Sequence, residues 1–294
     1  MSDDFRLGAV IITMGNRPAE LNALIDSVRA QQGPPVELAV VANGAPLPPL
    51  PEGVRSVELP ENLGIPGGRN VGIELFGPDG RDVDAVLFLD DDGLLPNTDS
   101  AELLRQAFTA DPSLGIVSFR IADPETGTTQ RRHVPRLRAS DPMRGSRVTT
   151  FLGGASAVRS AVFPQAGQLP AEFFYAHEET DLAWRALDAG WSIDYRPDVV
   201  LYHPATSPAR HAAYFHNVAR NRVWLARRNL PALLVPLYLG TWFLLTVARR
   251  PARAALKAWL GGFRAGWSEP CGPRRPMKWS TVWRLTRLGR PPII

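Results

Sequence analysis

Cysteine is almost missing from these 294 residues, with Cys271 standing alone. An internal disulfide is thereby excluded, as is a cysteine-based metal site, which points to a body working in a reducing compartment. Lysine is missing from residues 1–200, where 17 Arg face 28 acids; acids are nearly missing from 201–294, where Glu269 alone faces 16 Lys and Arg. The net charge of +4 therefore hides a division into −11 and +15. No basic stretch followed by an apolar run opens the chain, so a cleaved leader is not expected. Repeats and low-complexity linkers are lacking too. Apolar residues make up 45%, ample core for one large or two modest domains.

A basic tail with so few acids suggests an anionic partner, a membrane surface or a nucleic acid. From Pro231 to Ala248 the chain runs 18 residues without a charge, bracketed by Arg227-Arg228 and Arg249-Arg250. Nucleic-acid binding does not need that stretch, so an anionic membrane surface is the expected partner. Eighteen residues is short for a span, and Pro231, Pro236 and Gly240 weaken a straight helix, so the segment is expected to lie in the interface. Ala252 to Trp267 sets Arg253, Lys257 and Arg264 against Leu256, Trp259, Leu260 and Phe263, an amphipathic pattern with Trp at headgroup depth. The competing expectation is a helical hairpin packed on the body.

Strand and helix patterns alternate through the first part of the chain. Leu7–Thr13, Val36–Ala42, Val54–Glu58, 85–90 and Gly115–Arg120 read as strands, with helices over Pro18–Gln31, from Gly68 or Arg69 to Phe76, and over Ser100–Ala110. This order implies a mostly parallel, doubly wound α/β sheet. Residues 123–147 read as a surface excursion. Phe151–Arg159, a helix from Glu179 to Ala189 and short strands at Trp191–Tyr195 and Val199–His203 follow. The expected organisation is one α/β domain over 1–205, then a basic helical extension over 206–294.

Three clusters carry chemistry. Asp90-Asp91-Asp92 follows the apolar strand Ala85 to Leu89, and three adjacent carboxylates repel unless a cation holds them. Hard oxygen ligands at a strand's carboxyl end suit Mg2+ or Mn2+ bridged to phosphates. Asn62 to Gly72 is glycine-rich and opens a helix, so its backbone can approach a nucleotide. Glu178, Glu179 and Asp181, preceded by aromatics and His177, open another helix and offer a general base, although a helix start favours acids regardless of function. His203 ends a strand; if that strand runs parallel to the one ending at Asp92, both emerge at one end of the sheet and are able to share a metal.

Together with Phe151-Leu152-Gly153-Gly154-Ala155 and Leu182-Ala183-Trp184-Arg185, these motifs resemble the inverting, nucleotide-sugar-dependent glycosyltransferases of family 2, with the GT-A fold. The match runs from Leu7 to Arg228, and the pattern most resembles members that add rhamnosyl or galactofuranosyl units to cell-surface glycans. The resemblance implies a nucleotide-sugar half to about residue 120, an acceptor half over 121–205, and a glycan or lipid-linked acceptor. It implies metal ligation by Asp92 and His203, with Mn2+ or Mg2+ assisting the leaving diphosphate. Glu179 stands where the family places its base, with Glu178 or Asp181 able to share the role. Nucleotide-sugar contacts are implied for Thr13, Asn16, Arg17, Asn43, Gly67, Arg69, Asn70, Asp90, Asp91, Gly153 and Gly154. The protein is then expected in the cytoplasm, peripheral at the inner face of the cell membrane.

Two departures stand out. The family's base is normally Asp, and Glu179 is one methylene longer. Its uracil-reading Asp after the second strand is replaced by Ala42, so uridine, thymidine and guanosine donors all stay open. A rival reading, a haloacid-dehalogenase-like phosphatase using Asp90 and Asp92, wants a core lysine, and the chain holds only Lys257 and Lys278. A non-catalytic sugar- or nucleotide-binding scaffold at the membrane is the other alternative.

Overall fold

The computed structural model describes residues 5–137, 141–204 and 212–294. Positions 138–140 of the expected excursion and the boundary at 205 lie outside them. β1 (Leu7–Thr13), β2 (Glu37–Asn43), β3 (Arg55–Leu59) and β4 (Ala85–Asp90) are parallel and lie in the order β3-β2-β1-β4. The inner three are near-continuous apolar runs because helices cover both faces of the sheet. One is α1 (Pro18–Arg29), which starts on proline and buries Leu21, Leu24, Ile25 and Val28. Another is α2 (Gly64–Glu74), which begins four residues earlier than expected, with Pro66 tolerated in its first turn. A Cβ at Gly72 would fall 2.3 Å from Val10 Cγ1. The glycines there let α2 lie directly on β1.

α3 (Ser100–Ala110), β5 (Leu114–Ala122), β6 (Ser146–Arg147), β7 (Ala155–Arg159), α4 (Val162–Ala166), α5 (Glu178–Asp188) and β8 (Ser192–Tyr202) complete the sheet as β7-β5-β8-β6 beyond β4. β7 is antiparallel to both neighbours, and β6 is antiparallel to β8. The two short strands expected over 191–203 form one strand. Its register against β5 jumps between Arg196 and Val200, where Pro197 has no N–H for the ladder and its carbonyl accepts Arg120 Nε at 3.2 Å.

The basic tail folds as α6 (Ala212–Asn229), α7 (Leu234–Ala248), α8 (Arg253–Ser268) and α9 (Trp279–Arg287). α8 crosses α6 in close contact: a Cβ at Gly262 would lie 2.1 Å from His216 O, and one at Gly266 2.8 Å from Arg220 O. Trp259, expected at headgroup depth, is instead buried and stacks on Phe263 at 5.2 Å, leaving Trp267 and Leu260 exposed. Among the described residues no helix is long and apolar enough to cross a membrane. α7 buries Tyr238 and Leu239. Leu233, Leu237, Leu244 and Val247 form its exposed apolar stripe at helical spacing.

Candidate active site

β1 and β4 are parallel neighbours with Ile12 opposite Asp90, and β8 runs in the same direction, so all three deliver their carboxyl ends to one edge. A crevice of about 580 Å3 opens there. Its walls include Thr13 at the end of β1 with Met14, Asn16 and Arg17 after it, Asn43 at the end of β2, Asn62 before α2 and Gly64 at its start, Asp90 to Asp92, Phe174 and Tyr175, His203, and Ala213, Tyr214 and Asn217 of α6. The condition set for a shared Asp92 and His203 site is met, since the two strands are parallel.

Each carboxylate of the triplet has its own partner. Arg69 Nη2 donates to Asp90 at 2.8 Å, and the Thr13 hydroxyl donates to Asp91 at 2.7 Å. Arg17 donates to Asp92 and stands 3.5 Å from Asp91. His203 Nε2 lies 3.1 Å from Asp92 Oδ1, while its Nδ1 is 2.8 Å from the Pro204 carbonyl. Burial alone would raise Asp92, but the hydrogen bond and charge of His203, with Arg17, outweigh it and hold this carboxyl below its ordinary value. Asp91 moves the other way, because burial, with Asp92 and Asp90 nearby, exceeds the help from Thr13 and Arg17. The hydrogen bond to Asp92 raises His203 against the effect of burial.

Among the described residues no group of three or more His, Cys, Asp or Glu is placed to hold a metal ion. Asp92 and His203 nonetheless fit as a pair. The Nδ1 contact with Pro204 leaves Nε2 as the ligating nitrogen, the arrangement metal-binding histidines favour. Adjacent ligands of an octahedral ion at about 2.1 Å stand about 3 Å apart, as these two atoms do.

The glutamates are not part of the crevice wall. Glu178 is buried, and the Oε2 atoms of both Glu178 and Glu179 are enclosed without a hydrogen-bond partner. Part of Glu179 reaches solvent although that oxygen does not. Burial, followed by the neighbouring Glu179, pushes Glu178 well above the usual carboxylate range; burial also raises Glu179, with Arg69 opposing in both cases. The preceding loop holds Phe174 (φ 61°), Ala176 (φ 74°) and His177 (φ 70°) in the left-handed region. Asn221 on α6, fully buried, holds it there by donating to the carbonyls of Phe173, Tyr175 and Ala176 at 2.7–2.8 Å. Sequence reasoning missed Asn221, Tyr214 and Asn217, because nothing in the local pattern of a basic helix signals what a distant loop will need.

Other expected residues lie elsewhere. Asp181 is wholly buried and accepts from Arg185 Nε and Nη2 (both 2.7 Å), Arg228 Nε (3.1 Å) and Asn229 Nδ2 (2.6 Å), outside the crevice wall. Asn43 reaches the crevice, but its amide is committed to Gly64 O (3.0 Å) and Leu63 N (2.9 Å). Asn70 clamps both backbone groups of Leu169. Gly67 is buried inside α2, and Arg69 is buried behind the wall. Gly153 and Gly154 make room for the Arg69–Asp90 pair. Neither lysine lines the crevice.

A mostly parallel sheet with an acidic crevice at its carboxyl edge and a helical tail defines a protein of the GT-A fold. The sequence pattern of glycosyl transferase family 2 matches residues 9–165, just over half the chain, and the protein belongs to that family. No curated protein matches it. Among solved structures it is similar to TarS 1-349 of S. aureus, at 16% identity over 89% of this chain and 81% of that one, with a TM-score of 0.61. It is also similar to the mannosyltransferase PcManGT of Pyrobaculum calidifontis in complex with GDP-Man and Mn2+ (18%, 98% and 74%, TM-score 0.53). GalNAc-T7 with UDP, GalNAc and Mn2+ is a third (11%, 90% and 56%, TM-score 0.63). The chain spans 64% of the TarS 1-349 chain solved with UDP.

Proposed function

We propose that this protein transfers a sugar, with inversion, from a nucleotide-diphosphate donor to a hydroxyl of a cell-surface glycan or lipid-linked acceptor. The observation that carries this reading is an acidic crevice at the carboxyl edge of the sheet, closed on one side by Phe174 and Tyr175 of the loop that leads into Glu178 and Glu179. Asp90 to Asp92, with His203, are cationically partnered at its sheet edge; Glu178, buried, and Glu179, half-buried, each keep one enclosed carboxyl oxygen without a hydrogen-bond partner. The first suits a diphosphate with its counterion and the second suits a base, since environments that push titratable groups apart separate their roles.

Asp92 and His203 would hold a divalent cation, Mn2+ or Mg2+, which supplies Lewis-acid neutralisation of a departing diphosphate. The solved complexes of PcManGT and GalNAc-T7 contain Mn2+. Arg17, partly exposed beside the same carboxylates, would add a second cation for phosphate. Asp90, held by Arg69 and lining the crevice, would lie against the donor. Glu179 accepts the proton of the acceptor hydroxyl as that oxygen attacks the anomeric carbon from the face opposite the diphosphate, so one displacement inverts the centre. Burial raises its pKa toward working pH, which favours a base over a spectator carboxylate.

The same reading places the protein peripherally on the inner face of the cell membrane. The α7 stripe offers apolar side chains, and Arg249, Arg250, Arg253 and Lys257 beside it complement anionic headgroups. The test of the catalytic reading is turnover of UDP-GlcNAc, GDP-mannose and dTDP-glucose with Mn2+, in wild type and Glu179→Gln. Turnover of one donor by wild type, falling at least about 100-fold in the variant while nucleoside diphosphate binding persists, is expected. Full activity in Glu179→Gln would overturn the assignment of the base.

A further inference from the structure

Four arginines are buried among the described residues: Arg69, Arg105, Arg222 and Arg228. A guanidinium keeps its charge at every working pH and has donors only, so its burial requires acceptors, an acid above all. Arg69 meets the Asp90 carboxylate, Arg228 meets Asp181 and the Cys271 carbonyl, and Arg105 meets the carbonyls of Phe5, Gln32 and Pro34. Arg222 is the exception. It is 8% exposed, its Nη1 donates to the Tyr238 hydroxyl at 3.2 Å, and the ion pairs of its helix are made by Arg220 and Arg228 instead.

The surroundings add charge of the same sign. The Arg222 guanidinium carbon lies 3.6 Å from the Trp242 ring centre, and that of Arg249 lies 5.9 Å from the same ring. The face of a tryptophan offsets part of one cation's charge, not the charge of two that converge on it. Trp242 Nε1 is enclosed with no acceptor. No acidic residue occurs between Asp198 and Glu269, so α6, α7 and α8 carry no anion to answer these donors. Two cations and an N–H gathered at one ring suit an anion from outside the chain.

We propose that Arg222, Trp242 and Arg249 form a binding site for the phosphate of an anionic membrane lipid. The proposal rests on the reading of the tail as the membrane-facing part of the protein. Planar guanidiniums match phosphate because they offer paired N–H donors. What adjoins the site selects a lipid over free phosphate. Trp242 is partly exposed and Arg249 is exposed, and the apolar stripe of Leu233, Leu237, Leu244 and Val247 runs along the same helix. Leu237 directly precedes Tyr238, so stripe and site lie about 100° apart around α7. One lipid thus presents its acyl chains to the stripe and its phosphate to the arginines. Tyr214, on the crevice wall, stands about 12 Å from Arg222 along α6, which brings the crevice close to the bilayer surface.

The test is partition of the full chain onto phosphatidylcholine vesicles containing phosphatidylglycerol, for wild type, Arg222→Gln, Arg249→Gln and Arg253→Gln, the last an exposed cation of α8 outside the site. Arg253→Gln should weaken partition about fivefold, as loss of any surface cation does. Arg222→Gln should weaken it at least about 30-fold, and Arg249→Gln by more than the control. Arg222→Lys, which keeps the charge without the planar fork, should recover only part of the loss. Arg249 is exposed, so Arg249→Gln decides should Arg222→Gln fail to fold. Losses in both site variants no larger than that of Arg253→Gln make the attraction diffuse and overturn the site, while leaving the tail at the membrane. Absence of wild type from these vesicles at every salt concentration overturns both. Sodium phosphate, matched in ionic strength with chloride, should leave the bound fraction unchanged; release of wild type by phosphate alone makes the free ion the ligand and overturns the lipid.

Discussion

Replacing Asp181 separates what holds the site from what reacts in it. Its carboxylate is wholly buried between Arg185 of α5 and Arg228 and Asn229 of α6. Removing one partner of a buried ion pair costs about 3–5 kcal/mol, because the remaining charge is stranded. Both arginines keep carbonyl acceptors, Arg185 at Gln168 (2.8 Å) and Arg228 at Cys271 (2.6 Å), so the low end applies to Asp181→Ala. Unfolding entropy near 2.1 cal/mol/K per residue amounts to about 0.6 kcal/mol/K for this chain, so ~3 kcal/mol corresponds to a Tm lower by about 5 °C. Asp181→Asn, which keeps the volume and one acceptor oxygen, should lose less. Calorimetry measures the first quantity, and turnover at 15 °C, where both variants stay folded, measures the second. The expected result is a lower Tm with kcat within about threefold of wild type. An unchanged Tm, or a kcat loss beyond about 100-fold in folded protein, would refute the reasoning and return Asp181 to the reacting groups.

His203 and Asp92 predict a pH window. The His203 value lies above 6.5 in the folded state, so its stabilising contact is complete below 6.5 and is lost as pH rises through the raised value. Asp92 lies below 3.8, so its share is present above 3.8 and is lost as pH falls through the lowered value. In metal-free protein the Tm advantage of wild type over His203→Ala should therefore be greatest between these limits, and a flat difference across pH would contradict the contact. Mn2+ affinity, read by calorimetry, should rise with pH through the same His203 value, since the ion displaces a proton. At the tail, co-sedimentation with phosphatidylglycerol vesicles should weaken as salt rises and fall in Leu237→Glu/Leu244→Glu; failure to bind at every salt concentration would remove the membrane proposal.

Much of the sheet could be read from apolar runs, since buried parallel strands advertise themselves by composition. The edges were less legible. β8 looked like two strands because Pro197 interrupts the run, while the chain continues through a bulge that pairing with β5 enforces. The glycines that open α2 resemble a loop in sequence, whereas their small size is what lets a helix lie against Val10. At the site, the shared position of Asp92 and His203 at one edge of the sheet is legible from strand ends. Asn43, Asn70 and Asp181 were not separable by sequence from ligand-contacting residues, because an amide or carboxylate that clamps backbone or arginines looks the same in one dimension as one that faces a cavity.

The tail shows why a boundary near residue 205 is a poor guide to what the site requires. Phe174, Ala176 and His177 each occupy backbone regions that cost a non-glycine residue on the order of 1–3 kcal/mol, and such strain persists only where surroundings enforce it. The surroundings here are α6. Asn221 takes three carbonyls of the strained loop, Arg228 and Asn229 fix α5 through Asp181, and Tyr214 and Asn217 close the crevice wall. α6 is in turn gripped by α8 at Gly262 and Gly266, and α8 packs its Trp259 and Phe263 against Phe243 of α7, the helix that carries the exposed stripe. A continuous set of packed contacts thus joins the surface proposed to meet the membrane to the loop that orients Glu178 and Glu179. The strain in that loop is sustained from the basic tail rather than from the sheet.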